Sequence, residues 1–176
     1  MSKLNFSELK EFLDAKVVQY NTPDFIGSDP LQIPHRYSLK EDVEISSFLT
    51  ATIAWGNRKS IINNANRLMT LMDDAPYQFV MQHQQNDLEL LKSFVHRTFN
   101  GLDCIQFIKS LKHIYTNHNG LEGIFNTHAE TDSLQGAIHQ LKQHFFEIDH
   151  LQRTQKHISD PLKKSAANRI NMFLRW

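Results

Sequence analysis

Cys104 is the only cysteine in the chain. No intrachain disulfide can staple the fold, and a reducing compartment is expected. Its place among Ile105, Phe107 and Ile108 predicts a buried, inert thiol rather than a nucleophile. Long hydrophobic runs are also missing. No apolar stretch approaches the roughly 18 residues a membrane span requires, and the first residues carry no leader pattern. The expectation is a cytoplasmic protein with no membrane partner. Net charge is absent too, with 19 Lys/Arg against 19 Asp/Glu. That excludes a uniformly basic nucleic-acid binder and leaves local patches to consider.

Compact chemical signatures are lacking as well. HExxH, GxxxxGK[ST], GxGxxG and GxSxG do not occur, so zincin, P-loop, Rossmann and hydrolase chemistry have no motif and no cofactor is implied. The chain has 10 histidines, but His113 and His118 are five apart, as are His139 and His144. Neither pair would share a helix face, and no Cys/His cluster occurs, so no metal site is expected.

What is present argues for a globular helical fold. Apolar residues make up 40% and charged residues 22% of 176, enough for one domain spanning residues 1–176 with a substantial core. Twelve Phe against four Tyr and two Trp predict a phenylalanine-rich interior. The organising stretch is Asp42 to Met72. Val43, Ile45, Phe48, Leu49, Ile53, Ala54 and Trp55 make its first half too apolar for a surface helix. Gly56 then suits a left-handed helix end and Asn57 an N-cap for the next helix. Arg58, Lys59 and Ser60 fall in that second helix's first turn, where cations oppose the dipole unless an anion binds the exposed amides.

Elsewhere, Ser7 is placed to cap a first helix striped by Leu9, Phe12, Leu13, Lys16, Val17 and Tyr20. A long connector follows with Pro23, Gly27, Pro30 and Pro34, whose DPLQIPHRY segment cannot be regular helix. Ser38 and Glu41 read as a capping box for the central helix. Asp74, then Asn86 or Asp87, then Asp103, then Thr131, Asp132 or Ser133 are expected caps of later helices. The last helical segment runs from His157 to Trp176, with Pro161 in its first turn. No stretch alternates with period two between hairpin turns. The expected architecture is all-α, a compact bundle of about seven or eight helices with orthogonal packing.

Four basic clusters stand out: His35-Arg36-Tyr37, Asn57-Arg58-Lys59-Ser60, His96-Arg97 and Lys163-Lys164-Ser165. Basic, aromatic and hydroxyl side chains together suit phosphate contact. Residues 151–176 hold Arg153, Lys156, Lys163, Lys164, Arg169 and Arg175 against Asp160 alone, which makes the C-terminal end the basic pole.

DPLQIPHRY, DVEISSFLTATIAWGNRKSIINNANRLM, FVHRTFNGLD and DPLKKSAANRINMFLRW resemble, in that order, the blocks of the bacterial DUF2400 family. That family is in turn similar to helix-hairpin-helix DNA glycosylases, especially the archaeal 8-oxoguanine type. The resemblance implies DNA as partner and a role in DNA repair or processing. In those enzymes a lysine on the hairpin's second helix attacks the sugar carbon, assisted by a later aspartate, on a flipped nucleotide. The corresponding element here would be residues 159–176. Asn168-Arg169 stands where relatives carry Lys-Arg, so the nucleophile is missing unless Lys163 or Lys164 takes its place. The aspartate would lie past Trp176, and the uncapped NRINMFLRW ending suggests a C-terminally truncated chain.

The expected phosphate or nucleic-acid contacts are therefore His35, Arg36, Tyr37, Asn57, Arg58, Lys59, Lys163, Lys164 and Arg169. A non-enzymatic helical adaptor is the alternative, as is a small phosphate-ligand pocket beneath the proline-rich arm.

Overall fold

The computed structural model describes residues 5–129 and 132–176. Ten α-helices and four 3-10 turns account for nearly all its regular structure, with one two-residue strand pair between helices. The all-α expectation holds. The helix count is higher than expected because prolines and left-handed residues split the segments. No helix among the described residues is long and apolar enough to cross a membrane.

Helix α3 (Lys40–Thr52) is the axis of the fold: Ile45 through Thr52 are buried on every side. Helices α4 (Arg58–Thr70), α5 (Pro76–Gln82), α8 (Gly120–His128) and α10 (Asn168–Arg175) pack around it. Helices α7 (Gly101–Asn117) and α9 (Gln135–Phe145) complete the wall. Phe48 of α3 lies 5.9 Å from Phe107 of α7, 5.7 Å from Phe145 of α9 and 5.5 Å from Phe173 of α10. Phe107 continues the cluster to Phe145 at 4.7 Å and Phe99 at 5.1 Å. The phenylalanine-rich interior is thus one contiguous aromatic cluster, in edge-to-face and offset geometries that favour ring pairs. Cys104 is fully buried, and desolvation pushes its thiol far up. It is inert.

Several helix starts differ from expectation, and each difference has a local cause. Asn5, not Ser7, caps α1 (Phe6–Tyr20), exchanging a capping-box pair with Glu8. Leu39 precedes α3 with no side-chain cap, so Ser38 and Glu41 form no box. Asp74 takes a left-handed φ of 51° and caps nothing. Helix α5 instead receives its cap from outside, where the Tyr77 amide donates to Asp42 Oδ1 at 2.8 Å. Gln84, with Asp87, caps α6 (Gln85–Leu91). Asn100, with Asp103, caps α7. Thr131 lies outside the described residues; Ser133 Oγ accepts from the Gln135 amide at the start of α9. The expected helix from His157 to Trp176 is broken by Lys164 at φ 64° and Ala167 at φ 47°. Only Asn168–Arg175 remains α-helical, and Pro161 opens a 3-10 turn. Helix α3 ends at Thr52 with Ile53 as its C-cap, four residues before the expected Gly56, which takes φ 105° in the connection; Asn57, which accepts from the Ser60 amide at 3.2 Å, starts α4 as expected.

Helix α1 is the exception to the packing. It buries none of its residues, and its stripe stays open, with Phe12 and Val17 both more than half exposed. Stability should therefore respond very differently at two apolar sites. Phe107→Ala is expected to cost about 3–5 kcal/mol in urea unfolding. Val18→Ala on α1 should change it by less than about 0.5 kcal/mol.

Candidate functional site

The site grows out of the antiparallel pairing of α3 with α10. Phe48 meets Phe173, and one turn along each helix Thr52 meets Arg169, whose Nη1 donates to the Thr52 carbonyl at 2.9 Å. That carbonyl lies in the last turn of α3, where the helix leaves C=O groups unsatisfied and a cation is favoured. The guanidinium also lies 5.0 Å from the Trp55 ring centroid, a cation–π distance. Burial lowers the Arg169 pKa, and the guanidinium remains charged throughout the ordinary pH range.

A hollow of about 460 Å³ opens beside this pair, lined by Trp55, Ser159, Ser165, Ala167, Asn168 and Arg169 among others. Ala167 begins α10 with no side-chain cap, so the first amides of that helix lack side-chain acceptors. Arg169 sits in this same first turn, a second cation placed against a helix dipole. Lys163 and Lys164 are exposed on the loop that leads into Ser165. On the other flank Arg97, at φ 55°, packs on Gly56, where an added Cβ would meet its Nη1 at 2.9 Å.

Behind Trp55 lies a buried polar centre. The Asp103 side chain, at 0% exposure, accepts from Thr154 Oγ1 at 2.9 Å and from the Asn100 amide at 3.1 Å. Arg153 Nη2 lies 3.1 Å from Asp103 Oδ2 and also donates to the Thr98 carbonyl. His157 Nε2 is 3.5 Å from the same carboxylate oxygen, too far for a proper hydrogen bond. Its ring lies 6.3 Å from Trp55, stacked at 24°, and 5.0 Å from Phe99. Burial pushes this imidazole down to about 4, against the opposing pull of the Asp103 carboxylate. His96 also meets Trp55, ring edge to ring face at 5.3 Å.

The expected contact residues do not converge on one spot. Arg169 enters the hollow and Lys163 and Lys164 border it. Asn57 is occupied as a helix cap. Arg58 turns toward the proline-rich arm, 5.6 Å over Phe25 and 3.7 Å from Asp29. Lys59 is exposed, with no ion pair or hydrogen bond among the described residues. Arg36 donates to Asn66 of α4 at 3.0 Å. His35 instead lines a hollow of about 920 Å³ between α1, the arm and Trp176. Among the described residues the Tyr37 hydroxyl is buried without a partner, and desolvation raises its pKa.

Sequence reasoning missed Trp55 as a platform, and it missed Asp103, Arg153, Thr154 and His157 as a unit. Asn100 followed three residues later by Asp103 is a capping-box spacing, a legible signal for the first of these. Spacing also kept His113 and His118 apart, and there the structure differs. His118 is the C-cap of α7 rather than part of it, so its ring turns back toward His113 at 5.3 Å.

A family model described as "Protein of unknown function (DUF2400)" matches residues 29–176. The chain belongs to the DUF2400 family. The match takes in every residue of the Trp55–Arg169 hollow and of the centre around Asp103, and leaves out α1 and the short helix α2 (Pro23–Ile26), neither of which has a buried residue. Neither the curated proteins nor the solved structures compared with this DUF2400 member include a match.

The buried imidazole fixes a pH dependence of stability. An unfolded histidine takes up its proton near pH 6.5, whereas folded His157 resists until about 4. Its contribution is therefore complete above the unfolded value and lost as pH falls from 6.5 toward 4. The loss should be on the order of 2 kcal/mol, read as the difference between wild type and His157→Gln in urea unfolding at pH 7.5 and pH 4.5. Parallel pH profiles for the two proteins would contradict it.

Proposed function

We propose that the face around Trp55 and Arg169 binds the phosphate backbone of DNA, and that the protein serves DNA repair or processing. The observation that carries this reading is the placement of Arg169 in the first turn of an uncapped helix, over an indole and beside an open hollow. Among the described residues the guanidinium donates only to the Thr52 carbonyl, which leaves further N–H groups for an anion. A phosphate would meet the guanidinium, the first amides of α10 and the hydroxyls of Ser159 and Ser165. Lys163, Lys164 and Arg97 extend the positive rim, and half-buried Trp55 offers a surface on which a base can stack. The similarity of the DUF2400 helical layout to helix-hairpin-helix glycosylases, an expectation from the sequence, points the same way. Binding, rather than base excision, is what these residues account for, because Asn168 occupies the place of the nucleophilic lysine in that comparison.

The hollow's volume also suits a small phosphate ester. That second reading differs in its competitor: a mononucleotide would saturate the site and duplex DNA would bind no more tightly.

Fluorescence anisotropy with duplex and abasic DNA between about 50 and 200 mM salt tests the proposal. Wild-type binding should weaken steeply over that range. Arg169→Ala and the Lys163→Ala/Lys164→Ala pair should bind more weakly at every salt and flatten the salt slope by about one per lost phosphate contact. Arg58→Ala, whose side chain is engaged by Asp29 and Phe25, should matter less. Absence of wild-type binding to either DNA at low salt would overturn the reading in favour of a non-enzymatic adaptor.

A further inference from the structure

On the far side of the aromatic core, helix ends that are distant in sequence bring several histidines to one carboxylate. His113 lies near the end of α7 and His118 is its C-cap. His144 lies in the last turn of α9, and Glu147 follows that helix by two residues. His113 Nε2 and His118 Nε2 lie 2.7 and 2.9 Å from the same atom, Glu147 Oε2. His144 Nδ1 lies 2.6 Å from the other oxygen, Oε1. The ligand atoms of His113, His118 and Glu147 all fall within 4.8 Å of one another. The His118 and His144 rings are 4.0 Å apart, and His128 at the end of α8 stands 5.6 Å from His144.

A solvated ion pair would be the bland account of this cluster, but its composition argues against it. Among the described residues no Lys or Arg pairs with Glu147; its partners are three imidazoles from the C-terminal ends of α7 and α9. The three rings are each about one-fifth exposed and Glu147 about two-fifths, so an ion can enter.

We propose that His113 Nε2, His118 Nε2 and Glu147 Oε2 bind a divalent first-row transition metal of the Zn²⁺ class, with His144 steadying the second carboxylate oxygen. Two imidazoles and one carboxylate are a donor set for such a metal, and are poorly suited to Mg²⁺ or Ca²⁺, which take oxygen ligands. His144 supplies the outer hydrogen bond that fixes a ligating carboxylate. The fourth position faces solvent. Metal–ligand bonds of about 2.0–2.1 Å in a tetrahedron put neighbouring donors roughly 3.3 Å apart, so the present contacts must open by about half an ångström. Asn117 Nδ2 now lies 3.0 Å from His113 Nδ1. Metal binding moves the ring proton to Nδ1, and this exposed amide turns away or presents its oxygen. The bound ion would tie the C-terminal ends of α7 and α9 together. This inference is independent of DNA binding at Trp55.

Calorimetric titration of Zn²⁺ into metal-free, untagged protein tests it. One ion per chain with a micromolar or tighter Kd is expected, together with a higher Tm in the presence of Zn²⁺. Glu147→Gln and His118→Gln should each weaken binding at least about tenfold, while His35→Gln, outside the cluster, should leave it unchanged. Co²⁺ in place of Zn²⁺ should give the intense visible absorption of a tetrahedral site. No Zn²⁺ uptake by wild type below millimolar concentration would overturn the proposal. So would wild-type affinity in both cluster variants.

Discussion

The contact on which the rest of the architecture depends is the one between Phe48 and Phe173. It lies inside the aromatic cluster that joins α3, α7, α9 and α10. Because α3 and α10 run antiparallel, seating Phe173 on Phe48 brings Arg169, one turn earlier, to Thr52, one turn later. The same step delivers the guanidinium to the Trp55 ring and opens the hollow beside it. A core contact of hydrophobic origin thus fixes a polar site at the surface. Loosening the rings would let the first turn of α10 drift and release Arg169 from the carbonyl that holds it.

Behind the platform, the fold accepts the cost of a buried carboxylate. Asp103 is satisfied by Thr154, the Asn100 amide and Arg153, which join α7 to the 3-10 turn at Gln152–His157. Burying that charge is unfavourable in itself and becomes tolerable only when every partner is present. The centre therefore specifies how the residues before α10 dock more than it adds stability. Burial, against the pull of the Asp103 carboxylate, keeps His157 neutral beneath Trp55, so the platform's underside stays apolar near neutral pH.

Much of this was legible in the sequence where local chemistry decides structure. The apolar run of α3, the Gly56 break, the Asn57 cap and the phenylalanine interior all follow from residue type and spacing. What was not legible depends on tertiary contact. Asp42 caps a helix 35 residues away, which no local rule anticipates. The His157–Trp176 stretch carries helix-compatible residues, but Lys164 and Ala167 adopt left-handed backbone that propensity disfavours. Candidate phosphate contacts read as neighbouring clusters proved to face different elements: Arg36 bonds to α4, Arg58 faces the arm and Arg169 points into the hollow. The histidine cluster was hidden in part for the same reason: His113 and His118 meet at the end of α7, but His144 and Glu147 join them only after α7 and α9 are packed. Membership in the DUF2400 family accords with the fold's division, because the matched residues hold the core and the site and α1 stands apart.

Trp55, capped by Arg169, is the surface proposed to meet a nucleic acid. Trp176 is the only other tryptophan, so Trp176→Phe leaves Trp55 as the sole indole reporter. Adding a short DNA oligonucleotide to that variant at low salt should change its fluorescence saturably, as expected for a base stacking on the ring. DNA binding detected by another method, with the Trp55 emission unchanged at saturation, would contradict the account.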